Sequence, residues 1–233
     1  MQQRNVSLVR RATILERRWP ETPQFSRLAD DWSQKASTVL LDYVWRGCDA
    51  LCAEDISKIG GATSNDLSLE RSITQLLIPK IRKAMPSESP FQVEHEVFEF
   101  ESLAAPQAEP PRYDIGFTLN ENPRLIWPIE AKVLPKEDAI GEYVKEVTGN
   151  FMTCRYGPFS SEGGMLGYLL SGSPEITLNN ISIGLDCNLS YHPSFLPRNH
   201  RTSHHARKVP PGKAYPERFR CHHMIVQVGP LPS

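Results

Sequence analysis

Near residue 90 the spacing of apolar side chains changes from roughly four to two, and that switch separates a helical half from a sheet-forming half. Upstream, Leu28, Trp32, Ala36, Val39, Leu40, Tyr43, Val44 and Leu51 recur at helical intervals, which predicts a long amphipathic helix over Leu28–Leu51. Gly60, Gly61 and Asn65 break the pattern within Lys58–Asn65. A second helix is expected over Asp66–Met85, with Leu69, Ile73, Leu76, Leu77 and Ile81 as its apolar face and Pro79 kinking or dividing it. Downstream, Phe91, Val93, His95 and Val97, with Phe98 and Phe100 on the alternate positions, read as a strand. Leu103–Pro111 is a proline-rich loop, and in Arg112–Leu119 the residues Tyr113, Ile115, Phe117 and Leu119 then alternate cleanly. The turn chemistry of Asn120–Pro123 leads into a further strand, Leu125–Leu134.

Beyond it, a helix over Lys136–Met152 carries Ile140, Tyr143, Val144, Val147 and Phe151 as its stripe. Gly163–Leu170 reads as a buried strand, and Ser173–Ile181 as a short helix with Pro174 at its first position. A loop rich in Pro, His and Arg follows Asp186, and Met224–Val228 is the last strand. Helices and strands in this order predict an α/β architecture, a mixed β-sheet flanked by helices. Residues 1–60 form an N-terminal helical segment and residues 61–233 the main domain. With 233 residues the chain can bury a core without staples.

Composition excludes several classes. Five scattered cysteines without a CxxC pair argue against a disulfide framework and for a reducing, cytoplasmic setting. No apolar run approaches the roughly 18 residues of a membrane span. The formal net charge is −1, but its distribution is uneven. From His192 to His223 there are seven Lys or Arg against one acid, Glu217, together with six of the seven histidines. Acids gather earlier, around Glu94–Glu101 and Glu137–Glu146. A basic groove beside an acidic pocket is the expected outcome.

The hairpin carries the chemistry. A turn centred between residues 121 and 122 makes antiparallel partners sum to about 243 or 244, which puts Asp114 opposite Ile129 or Glu130. Glu130 and Lys132 are two apart and share a face. Two carboxylates converging among Ile115, Phe117, Ile126, Ile129 and Val133 must either share a proton or hold a cation. A hard divalent ion, Mg2+ or Mn2+, takes such oxygen ligands together with a substrate phosphate. Lys132 then either orients a water and stabilises developing charge or, with a depressed pKa, serves as a base.

The segments RYDIGF and WPIEAKVL, with Glu130 sixteen positions after Asp114, resemble the D-x(n)-E-x-K core of the PD-(D/E)xK nuclease superfamily. Tyr113 stands where that motif has proline. The resemblance covers residues 66–170. It implies a restriction-endonuclease-like fold and a Mg2+- or Mn2+-dependent hydrolase of phosphodiester bonds, with DNA as the expected substrate in defence, restriction or repair. It also implies a glutamate on the helix before the hairpin, a position matched by Glu70 in LSLERSITQLL, so that Asp114, Glu130 and Glu70 hold metal beside Lys132. A polar group on the following helix, Lys145 or Glu146, is a further candidate.

Among the basic residues, Arg201, Ser203, His204, Arg207 and Lys208 suit phosphate contact. His200, His204, His205, Cys221, His222 and His223 suggest zinc, although no paired-Cys knuckle supports it. Two other function classes fit the same sequence. One is a non-catalytic nucleic-acid-binding module that keeps the fold. The other is an interaction subunit docking through residues 28–51, with a protein partner supplying specificity. A homodimer is compatible with both.

Overall fold

The computed structural model describes residues 14–51, 56, 59, 66–102 and 109–229. Gly60, Gly61 and Asn65, the expected breakers, and most of the proline-rich loop lie outside the described residues.

A short helix α1 (Ile14–Arg18) precedes α2 (Pro23–Asp49). Helix α2 begins five residues before the sequence pattern suggests. Thr22 caps it, its hydroxyl accepting the Phe25 amide at 3.1 Å, and Pro23 suits a first turn whose N–H groups need no helical partner. The expected stripe is partly displaced. Leu28 and Val39 are exposed, while Phe25, Ala29, Leu40, Leu41, Val44 and Trp45 are buried. Helix α3 (Asp66–Ala84) runs through Pro79 undivided, and its Ile73, Leu77 and Ile81 are fully buried.

Seven strands follow: β1 (Phe91–Phe98), β2 (Arg112–Leu119), β3 (Asn122–Leu134), β4 (Glu162–Leu169), β5 (Ser190–Tyr191), β6 (His200–Ala206) and β7 (Arg218–Gln227). They form one mixed sheet in the order β1-β2-β3-β4-β7-β6-β5. The β1-β2-β3 and β7-β6-β5 pairings are antiparallel, whereas β3-β4 and β4-β7 are parallel and need crossovers. The first crossover holds α4 (Gly141–Glu146), which widens into a π-helical turn at Val147–Phe151; the second holds α5 (Pro174–Gly184). The chain is thus an α/β protein with a seven-stranded mixed sheet flanked by helices. Leu40, Val44, Ile73 and Leu77 pack against Ile115, Ile129 and Leu166 on one face. Tyr143, Val147, Phe151, Leu178 and Ile181 pack against Met165, Leu169 and Phe219 on the other. No helix among the described residues is long and apolar enough to cross a membrane.

Three expectations need correction. The helix expected from Lys136 starts only at Gly141, because residues 136–139 form a turn closed by the Ala139 amide on the Lys136 carbonyl. The loop expected after Asp186 contains β5 and β6, and β7 begins at Arg218 rather than Met224. In β6 the buried side chains are His200, Arg201, Thr202 and Ser203, so no apolar alternation announced the strand.

Candidate active site

The β2-β3 hairpin creates the site by coming apart. From Thr118↔Ile126 to Ile115↔Ile129 the partners sum to 244, yet the turn itself closes on Leu119↔Asn122. An irregularity between Thr118 and Leu119 reconciles the two, and Pro123, which has no N–H to donate to a ladder, lies in the extra residues on β3. The described pairing ends at Ile115↔Ile129, and from Ile129 onward β3 pairs instead with β4. Across the parting strands Asp114 supplies the missing acceptor: its Oδ2 takes the Ala131 amide at 2.8 Å. The Asp114 carboxylate is therefore held on the amide of Ala131, the residue between Glu130 and Lys132, and this makes the three side chains neighbours.

Lys132 Nζ donates to Glu130 Oε1 at 2.8 Å, to Glu70 Oε1 at 3.1 Å and to the Ala131 carbonyl at 2.8 Å. All three ammonium protons are engaged. Glu70, on the first turns of α3, is buried; its Oε2 accepts the Val133 amide at 3.2 Å. Its backbone carbonyl accepts the hydroxyl of Thr74, which meets Tyr168 Oη at 3.0 Å, so α3 is tied to β4 beneath the site. The structure thus brings Asp114, Glu130, Lys132 and Glu70 into one hydrogen-bonded group.

Three acids share one cation, and burial makes that imbalance costly. Burial pushes the Glu70 carboxyl up to about 7, with Asp114 adding to the rise and Lys132 opposing it. Burial also raises Glu130 well above the usual carboxylate range, and the charges of Asp114 and Glu146 raise it further. Asp114 is raised by burial against the pull of Lys132 and the Ala131 amide. Burial alone would lower Lys132, but Glu130, Glu70 and Asp114 outweigh it and hold the ammonium above its ordinary value.

A divalent cation would relieve this surplus, and one observation fits it. Glu130 Oε2 is buried and has no hydrogen-bond partner among the described residues. A buried carboxylate oxygen left without a partner is costly, and the donor set of Asp114, Glu130 and Glu70 is the hard-oxygen type that Mg2+ takes. Against this, no three His, Cys, Asp or Glu side chains among the described residues are already grouped to hold a metal, because the Lys132 ammonium sits between Glu70 and Glu130. The orphaned oxygen is the observation that favours a cation, and the fully engaged Lys132 ammonium is the one that opposes it.

Of the two candidates on the following helix, one reaches the site. Glu146, rather than Lys145, acts on Glu130; Lys145 is exposed and paired with Glu142 at 3.0 Å. Glu146 is held by Asn150, four residues on, at the start of the π-helical turn, and that i,i+4 spacing was visible in the sequence. Tyr113, in place of the motif's proline, is fully buried and packs edge-on against Tyr156, whose hydroxyl donates to the Arg112 carbonyl at 2.8 Å.

The expected phosphate contacts divide. Arg207 is buried and donates to the carbonyls of Phe151, Tyr156, Gly157 and Ser160. Arg201 is turned inward onto Glu175 and onto Asn179 at 3.0 Å, and Ser203 lies between His205 at 2.6 Å and His223 at 2.7 Å. A phosphate-contact role for Arg201, Ser203 and Arg207 does not fit these placements, because a strand rather than a loop carries the first two and the core engages all three. His204 and Lys208 are exposed.

His200 and His222 form a buried chain with Trp45 and Glu162. Trp45 Nε1 donates to His200 Nδ1, His200 Nε2 meets His222 Nδ1 and His222 Nε2 meets Glu162 Oε2, each at 3.1 Å. His223 joins Tyr143 Oη at 3.1 Å. Burial holds His200, His222 and His223 below their ordinary value; their ring nitrogens are taken by the hydrogen bonds above and by Ser203, and no three His, Cys, Asp or Glu side chains among the described residues are grouped to hold a metal. Compared with family models, curated proteins and solved structures, the chain matches none.

Proposed function

We propose that this chain is a metal-dependent phosphodiester hydrolase of the PD-(D/E)xK type, with a restriction-endonuclease-like core and nucleic acid, DNA first, as its substrate. The observation that carries the reading is the convergence of Asp114, Glu130, Lys132 and Glu70 where β2 and β3 part. A bound Mg2+ or Mn2+, held by Asp114 and Glu130 with Glu70 beside them, would supply Lewis-acid activation of a phosphate and of water.

The protein's own groups have separable tasks. The Ala131 amide fixes the Asp114 carboxylate through its Oδ2. Glu70 is steadied by the Val133 amide and orients Lys132. Three carboxylates keep Lys132 charged, which suits it to stabilising developing negative charge on a phosphate rather than to removing a proton. Exposed His204 and Lys208 remain candidates for backbone contact. A reducing, cytoplasmic setting accords with the free cysteines Cys48, Cys154, Cys187 and Cys221.

The closed Lys132 bridge favours one alternative, a nucleic-acid-binding module in which the ion pairs are purely structural. Purified protein incubated with plasmid, linear and single-stranded substrates in Mg2+, Mn2+ or EDTA separates the two. The hydrolase reading expects metal-dependent cleavage that disappears in Asp114→Ala. Binding without cleavage in every metal favours the module.

A further inference from the structure

Phe98 and Phe100 are large aromatic side chains left on the surface, 37% and 53% exposed, with ring centroids 6.2 Å apart. Glu99 between them points inward and is buried, so the two rings lie on the same, outer side of the chain. Single exposed apolar residues are ordinary, but two adjacent aromatic rings beside a group of strained charges are not.

Their position ties them to the candidate site. Phe98 pairs with Arg112 across β1 and β2, two residues from Asp114, and the neighbouring pairs His95↔Ile115 and Val97↔Tyr113 bracket Glu96 beside Asp114. Glu96 holds a left-handed backbone at φ 55°, a conformation that costs a non-glycine residue about 1 kcal/mol. In that conformation its carboxylate bridges two arginines, Arg71 Nη2 at 2.8 Å and Arg112 Nη1 at 3.4 Å. Arg112 also lies over the Phe98 ring, 5.8 Å from its centroid. The two guanidinium groups share that one carboxylate and remain about half exposed, Arg71 at 56% and Arg112 at 45% of the side chain.

We infer that Phe98 and Phe100, flanked by Arg71 and Arg112, form a stacking platform for the unpaired bases of a single-stranded nucleic acid passing the site. The inference rests on the hydrolase reading for its substrate and narrows it to single strands or frayed ends. A duplex hides its base faces, whereas an unpaired base offers one to an aromatic ring and a neighbouring phosphate to an arginine. Flat apolar rings flanked by half-exposed guanidinium groups match the alternation of base face and phosphate along a single strand.

The test measures binding in EDTA, where cleavage plays no part, by fluorescence anisotropy of a labelled single-stranded oligonucleotide and of its duplex. The double variant Phe98→Ala/Phe100→Ala should lose at least about ten-fold in single-strand affinity with duplex affinity unchanged, and Phe98→Tyr/Phe100→Tyr should keep it. Equal single-strand binding by wild type and the alanine variant overturns the platform, as does an equal loss toward duplex. A fall in molecular mass of the alanine variant by light scattering, revealing a second copy seated on the rings, overturns it too. The two readings fail separately. A wild type that cuts nothing in Mn2+ yet binds single strands through these rings retires the hydrolase alone, while metal-dependent cleavage of single strands that ignores the rings retires the platform alone.

Discussion

All three protons of Lys132 are engaged, two of them on buried carboxylates. Replacing it with methionine removes the cation and leaves Glu70 and Glu130 buried without one. Lys132→Met should therefore lose cleavage by about a hundred-fold or more. At pH 8 it should also lose roughly 3–5 kcal/mol of stability by urea unfolding. Arg207 offers a contrast away from the site. Its guanidinium satisfies four backbone carbonyls and covers the Phe219 ring, and Arg207→Ala should cost more than about 3 kcal/mol through those orphaned acceptors, read as a fall in the urea midpoint. The contrast bears on legibility. Asp114, Glu130 and Lys132 could be placed together from sequence because strand period two fixes which residues share a face. Arg201 and Arg207 could not be told from surface arginines, since composition does not distinguish a guanidinium over a phosphate from one over its own backbone.

At the scale of elements, helix packing depends on close approach as well as on apolar stripes. Helix α2 crosses α3 at Gly47, where an added Cβ would stand 2.6 Å from Ile81 Cγ1 and 3.1 Å from the Ile81 amide nitrogen. Gly47→Ala should push the helices apart and cost roughly 1–3 kcal/mol, measurable by thermal or urea unfolding. Helices α2 and α3 and strands β1 to β3 were legible because each buries an apolar stripe or alternation, and β4 because its whole run is buried. Strand β6 was not, because it buries His200, Arg201, Thr202 and Ser203 against partners such as Trp45, Glu175 and His223. Those polar contacts are made across long stretches of sequence, and a local pattern carries no trace of them. The first half of β7 was more accessible than its reading suggested: Phe219 and Cys221 are buried and alternate with Arg218 and Arg220. The hairpin register came out at 244 through an irregularity between Thr118 and Leu119 and a tighter turn, not through the turn position assumed from sequence.

For the whole molecule, buried acids make stability depend on pH. Glu99 is buried, and burial pushes its carboxyl up to about 8 from an ordinary 4.5. Between those values the folded chain keeps a proton that the unfolded chain has released, so stability falls as pH rises through that window and levels off above it. Glu99→Gln should flatten the fall and raise stability at pH 8 by roughly 1–3 kcal/mol, with little change at pH 4.5, as read from urea midpoints across pH. The site acids act in the same direction in metal-free protein, so a divalent cation should stabilise the fold more at pH 8 than at pH 5. The central claim is that the carboxylates at the parting of β2 and β3 hold a divalent cation. Titration calorimetry with Mn2+ at pH 8 measures this directly. The account predicts one binding event in the wild type that is lost in Asp114→Asn and in Glu130→Gln. A wild type that takes up no Mn2+, or variants that bind it as tightly as the wild type, would contradict it.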